Sequence, residues 1–127
     1  MKNRFLNSLY CKNVDRPPIW FMRQAGRYLS EYRLLRLKSG NFFNLCYSSE
    51  FIALSTLQPL KRYDLDAVII FSDILLLHMF MGLNLNFIDN FGPVFLNPIR
   101  NINDIKLLKD IIPFHDFKFL FKGIELV

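Results

Sequence analysis

Two arginines, Arg23 and Arg27, stand four residues apart around Ala25-Gly26 in the run Ile19-Trp20-Phe21-Met22-Arg23-Gln24-Ala25-Gly26-Arg27-Tyr28-Leu29. Most of their neighbours there are apolar or aromatic. A guanidinium among apolar groups is costly unless an anion meets it. Arginine presents a planar fork of donors that fits a carboxylate, and glycine lets the backbone come close. The chemistry in prospect is capture of a carboxylate-bearing anion beside a core. The same spacing also fits a helix whose two arginines reach water along their aliphatic stems.

The net charge is +5, and it is unevenly spread. Residues 1–40 hold nine Lys/Arg against Asp15 and Glu31, a local +7, so the remaining residues sum to −2. A basic N-terminal third suits a polycarboxylate small molecule or a nucleic acid, and equally a plain solvated face. Nucleic acid is the weakest of these. The aromatic residues follow apolar periodicity, and no RNA-binding signature occurs. Cys11 and Cys46 form no CxxC pair, and His78 and His115 are isolated, so neither a metal site nor a disulfide framework is expected. The apolar stretch from Phe5 to Cys11 is short and interrupted by Asn7 and Ser8, unlike a secretory signal. A cytoplasmic setting is the expectation.

These residues need elements to hold them. The composition, 52% hydrophobic, can bury a core and excludes compositional disorder. Residues 1–9 read as a helical lead-in, broken at Asp15-Arg16-Pro17-Pro18. Ile19–Met22 is expected to be extended, with a turn at Gln24-Ala25-Gly26 presenting both arginines. A helix is predicted from Ser30 to Lys38 and ends at Gly40-Asn41. A short helix follows at 41–45. Ser48 or Ser49 caps the next, whose apolar side would hold Phe51, Leu54, Leu57 and Leu60, with Pro59 as a kink. The run Ala67–Phe71 is continuously apolar and β-branched, as a buried parallel strand is. Leu65–Leu85 is greasy enough to suggest a membrane helix, but Asp66, Ser72, Asp73, His78 and Asn84 interrupt it. A strand, a polar loop and a helical turn fit it better, and no membrane partner is expected. Leu83–Phe87 and Val94–Leu96 read as a hairpin around Asp89-Asn90-Phe91-Gly92-Pro93. A short helix starts at Asn103 or Asp104, and another apolar, basic segment runs from Phe114 to Leu126.

Three ordered blocks resemble the uroporphyrinogen decarboxylase family. They are Arg16–Arg33 around the two arginines, Leu54–Tyr63, and Leu65–Leu75. The resemblance is collinear over roughly residues 4 to 110. It implies an α/β fold, a (β/α)8 TIM barrel, of which this chain would hold the N-terminal helices, the first barrel strand and a β-hairpin. A complete barrel takes about 250 residues. The 127 residues would then form a partial domain, the opening third, with the barrel incomplete on its C-terminal side. The 127-residue chain alone is expected to be neither a stable domain nor active.

By the same resemblance the activity is that of a carboxy-lyase. It would convert uroporphyrinogen III to coproporphyrinogen III by four acetate decarboxylations in heme biosynthesis, with no metal and no organic cofactor. Arg23, Gln24, Ala25, Gly26, Arg27, Arg36 and Asp73 would bind substrate. Arg23 and Asp73 would be catalytic: Asp73 would accept from the pyrrole N–H groups and stabilise a cationic intermediate, while Arg23 would handle a proton near the reacting acetate. Without the resemblance, Asp73 reads as a helix N-cap at a strand-to-helix turn. Expected partners are uroporphyrinogen, a complementary C-terminal chain, and a second copy, since the family forms homodimers. Two departures from the family pattern stand out. Ser30 replaces a usual proline, which would loosen the loop after the arginines, and Asn90 replaces a usual glycine. The alternative reading is a non-catalytic remnant that binds a tetrapyrrole or a protein.

Overall fold

The computed structural model describes residues 3–88 and 91–127. The chain divides into two compact units, residues 1–72 with 119–127, and residues 73–118.

In the first unit, α1 spans Arg4–Leu9 and α2 spans Ser30–Lys38. Gly40 follows α2 with φ +78°, the left-handed conformation that closes a helix and that glycine adopts without steric cost. Asn41 then caps α3 (Phe42–Tyr47), its side chain accepting from the Asn44 N–H at 2.8 Å. Ser48 caps α4 (Ser49–Arg62), accepting from the Phe51 N–H. Pro59 lies inside α4, which nonetheless continues to Arg62.

The core of this unit gathers Leu29, Tyr32, Leu35 and Leu45, with Ala25, Phe51 and Phe71 packed against it. The Tyr32 and Phe71 rings meet at 5.7 Å. The face that α4 buries is not the expected leucine stripe. Ile52, Ala53, Ser55, Thr56 and Pro59 are buried, whereas Leu54 and Leu60 are exposed. Small residues let neighbours come close. Gly123 sits where an added Cβ would lie only 2.7 Å from Ile52 Cγ2.

The expected first barrel strand is corrected. Ala67–Phe71 has no regular secondary structure and no ladder partner, because among the described residues the sheet contains only a hairpin. A parallel strand needs neighbours on both sides to take its amides. Here side chains take them instead, as described below.

Ser30 is hydrogen-bonded at the start of α2. As the first residue of α2 its hydroxyl donates to Glu31, and it accepts from Arg62 of α4. Arg62 also grips Glu31 through two nitrogens, at 2.7 and 3.0 Å. This fork holds the Glu31 carboxyl down at about 2, against an ordinary 4.5. A depressed folded pKa means that the contribution to stability is fully present above pH 4.5 and lost as pH falls toward 2. Protection of α2 amides from hydrogen exchange should therefore exceed that of Glu31→Gln at pH 6. The difference should vanish near pH 2, and equal protection at both pH values would remove the pair from the account.

In the second unit, α5 spans Leu75–Phe80, and β1 (Leu85–Ile88) pairs antiparallel with β2 (Gly92–Phe95). The register sets Leu85 opposite Phe95 and Ile88 opposite Gly92. The hairpin is the expected one, while Asp89 and Asn90 of its turn lie outside the described residues. Helix α6 (Ile102–Lys106) starts one to two residues earlier than the Asn103/Asp104 expectation. Asn101 is the cap, and Asp104 closes a reciprocal capping box. The segment from Phe114 resolves into α7 (Pro113–Asp116) and α8 (Lys118–Glu125), the latter belonging to the first unit from Phe119 onward. No described helix is long and apolar enough to cross a membrane.

Candidate functional site

The arginine loop belongs to the first unit, and its main chain is tied down carbonyl by carbonyl. The Tyr28 hydroxyl donates to the Gln24 carbonyl. The Leu29 N–H donates to the Gly26 carbonyl at 3.0 Å. Arg33 Nη1 donates to the carbonyls of Arg27 and Tyr28, at 2.8 and 3.2 Å. These bonds fix a turn rather than a helix over residues 24–28, so the snorkelling-helix reading does not describe this segment.

Against that fixed backbone, the Arg23 and Arg27 side chains are exposed and make no hydrogen bond or ion pair among the described residues. The other described arginines of the N-terminal third are engaged. Arg4 and Arg16 hold aspartates, Arg33 holds the loop, and the Arg36 guanidinium lies 5.5 Å from the Phe42 ring centre. Gln24 is buried, and Ala25 and Gly26 are half-buried. A Cβ on Gly26 would make only an ordinary 3.6 Å contact with the Tyr28 ring, so the chain's own packing does not demand glycine there.

Asp66 ties down the segment ahead of the arginine loop, which the sequence reading passed over. Its side chain is 8% exposed, yet it is charged. It accepts from Arg4, from Arg16 at 2.9 Å and from the Ile19 N–H at 2.8 Å, and its own N–H donates back to the Ile19 carbonyl. The Ile19 amide is the first cause of its lowered pKa, with Arg4 and Arg16 adding to it. Arg4 also forks onto Asp15 at 2.7 and 2.8 Å and holds that carboxyl well below the carboxylate range. Arg16 reaches Asp64 at 3.0 Å. The network anchors the chain at Ile19, four residues before Arg23. A signal was present: a carboxylate opening an apolar run must find cations, and Arg4 and Arg16 were the unassigned ones.

Asp73 opens the second unit. Its Oδ1 accepts from the Leu75 N–H at 2.8 Å, a local turn bond just ahead of α5; the N-cap position is Ile74, with no side-chain cap bond, so the capping role inferred from sequence is corrected. Oδ2 makes no hydrogen bond among the described residues. The carboxylate is half-buried and keeps an acceptor open. His78 contacts the Ile74 carbonyl and the Phe95 ring, and His115 contacts Asp116.

Comparison with known proteins adds a family. The model for uroporphyrinogen decarboxylase (URO-D) matches residues 1–127. The chain is 49% identical over 127 residues to uroporphyrinogen decarboxylase of Nitrosococcus oceani, covering 99% of this chain and 36% of that protein. It is 47% identical over 123 residues to the Vesicomyosocius okutanii protein of the same name, covering 97% and 35%. The Francisella tularensis relative of that name is 49% identical over 111 residues, covering 87% and 32%. The chain thus spans about a third of the length of these relatives.

Proposed function

We propose that this chain, which belongs to the uroporphyrinogen decarboxylase family, is the opening third of a (β/α)8-barrel decarboxylase acting on uroporphyrinogen III. In this reading residues 1–127 are a partial domain, and a polypeptide carrying the remaining strands completes the barrel. The working enzyme is a cytoplasmic homodimer in heme biosynthesis. The exposed Leu34 and Leu37 of α2, and Leu54 and Leu60 of α4, are then faces that the rest of the barrel covers.

The observation that carries the proposal is the pair of guanidinium groups, Arg23 and Arg27, unpartnered among the described residues, on a loop whose Gln24, Gly26, Arg27 and Tyr28 carbonyls are all hydrogen-bonded. Their forks take substrate carboxylates, and Arg36 takes a further one. Gln24, Ala25 and Gly26 form the loop wall, where glycine admits a ligand closely. The free oxygen of Asp73 accepts from pyrrole N–H groups. Its charge stabilises the cation formed when the ring is protonated. That protonated ring is the electron sink as carbon dioxide leaves each acetate, so no metal or organic cofactor is required. Arg23 handles the proton near the reacting acetate. The second reading, a non-catalytic tetrapyrrole binder, draws on one fact: the arginine loop lies wholly in the first unit and could bind without Asp73.

Anaerobic calorimetric titration of uroporphyrinogen III into a family-length protein, in which this chain replaces the matching residues of the Nitrosococcus oceani relative, should show binding that weakens with salt. Arg27→Ala should cost about 1.5–3 kcal/mol, roughly 10- to 150-fold in affinity, as a lost charge-assisted contact does. Unchanged affinity in Arg27→Ala would remove Arg27 from the site.

A further inference from the structure

Gln24 is 5% exposed, and both ends of its carboxamide act on one segment. Nε2 donates to the Ala67 carbonyl and Oε1 accepts from the Ile69 N–H, each at 3.1 Å. Engaging one residue's C=O and the N–H two residues on is what a neighbouring strand does in a ladder. Thr56 continues the pattern. Its Oγ1 accepts from the Phe71 N–H at 2.9 Å and donates to the Ile52 carbonyl at 2.8 Å. Alternate amides of the apolar run are therefore met by two buried side chains. Left unmet in a core they would be costly.

Gln24 also belongs to the arginine loop, and its own carbonyl holds the Tyr28 hydroxyl. We infer that Gln24 is a positioning residue, whose side chain clamps the Arg23–Arg27 loop to the Ala67–Ile69 backbone and so fixes the loop that presents both guanidinium groups. The clamp stands on its geometry. Its consequence for binding rests on the anion-binding reading of Arg23 and Arg27 proposed above.

Two variants, made in a family-length protein in which this chain replaces the matching residues of the Nitrosococcus oceani relative, separate clamping from mere volume. Gln24→Met keeps the length and loses both hydrogen bonds. Gln24→Glu keeps the acceptor for Ile69 but, when ionised, sets an anionic oxygen against the Ala67 carbonyl. Protonation restores a donor there, and burial raises the pKa of such a carboxyl. The ionisable groups on its own loop are Arg23, Arg27 and Tyr28, while residues 67–71 and Thr56 bring none.

Hydrogen exchange at the Ile69 amide and the Kd for uroporphyrinogen III are read against wild type at each pH. Gln24→Met should speed exchange about tenfold and weaken binding about tenfold at pH 7 and at pH 5. Gln24→Glu should do the same at pH 7 and return toward wild type below about pH 5, where its carboxyl is protonated. Wild-type exchange at Ile69 in Gln24→Met would overturn the clamp. Faster exchange with unchanged affinity would overturn the positioning role. A family-length protein with Gln24 intact that binds no uroporphyrinogen would instead contradict the functional reading, and exchange at Ile69 would then decide the clamp alone.

Discussion

Asp73→Asn should lower decarboxylation by about 10²- to 10³-fold while leaving the fold intact, the scale of losing one preorganised electrostatic group. The natural setting for this test is a family-length protein in which the chain replaces the matching residues of the Nitrosococcus oceani relative. Asparagine keeps an oxygen that can accept from the Leu75 N–H, as Asp73 Oδ1 does at 2.8 Å. The start of α5 should therefore survive. What is lost is the negative charge and the second acceptor, Oδ2, which no described residue uses. The loss should fall on kcat, because the charge acts on a cation that exists only along the reaction path. Near-normal turnover in Asp73→Asn would leave Asp73 with its local bond to the Leu75 N–H alone.

The 127-residue polypeptide by itself should form no coproporphyrinogen and should lack a cooperative thermal transition. Two observations lead there. Among the described residues Ala67–Phe71 has no strand neighbours, and the Ile69 and Phe71 amides are met by the side chains of Gln24 and Thr56. Leu34 and Leu37 remain 67% and 77% exposed on α2, with Leu54 and Leu60 open on α4. Burying a leucine fully contributes about 1.5–3 kcal/mol. Leaving these four largely in water forfeits on the order of 5 kcal/mol, comparable with the whole stability of a small domain. Exposed apolar faces beside an unpaired segment also favour aggregation. Calorimetry and an anaerobic turnover assay check this together. A sharp transition with product formation would refute it.

The helical frame was legible where local chemistry set it. Ser48 as the cap of α4 follows from side-chain capping, and the end of α2 before Gly40 from left-handed glycine, neither of which needs a distant contact. The family was legible from the blocks around Arg23, Leu54 and Leu65, and the match over residues 1–127 bears it out. The buried face of α4 was not legible, because Ala53, Ser55, Thr56 and Pro59 carry little hydrophobic signal and are buried through close packing. Ala67–Phe71 read as a strand from composition, but a strand is a relation between segments, and no described segment pairs with this one. At the candidate site, the turn presenting two arginines could be read from spacing around Gly26. The Asp66 network joins residues about fifty apart in sequence, and only the fold brings them within hydrogen-bond distance.

The central claim is that these residues supply the anion-binding opening of a decarboxylase completed by further chain. Its most direct test mixes the purified 127-residue chain with a polypeptide carrying the remaining two-thirds of the Nitrosococcus oceani relative, and measures coproporphyrinogen III formed from uroporphyrinogen III without oxygen. The account predicts product from the mixture, none from either piece, and its loss when Arg23 and Arg27 are both replaced by alanine. A mixture that assembles and unfolds cooperatively yet forms no product, or one indifferent to the two arginines, would contradict it.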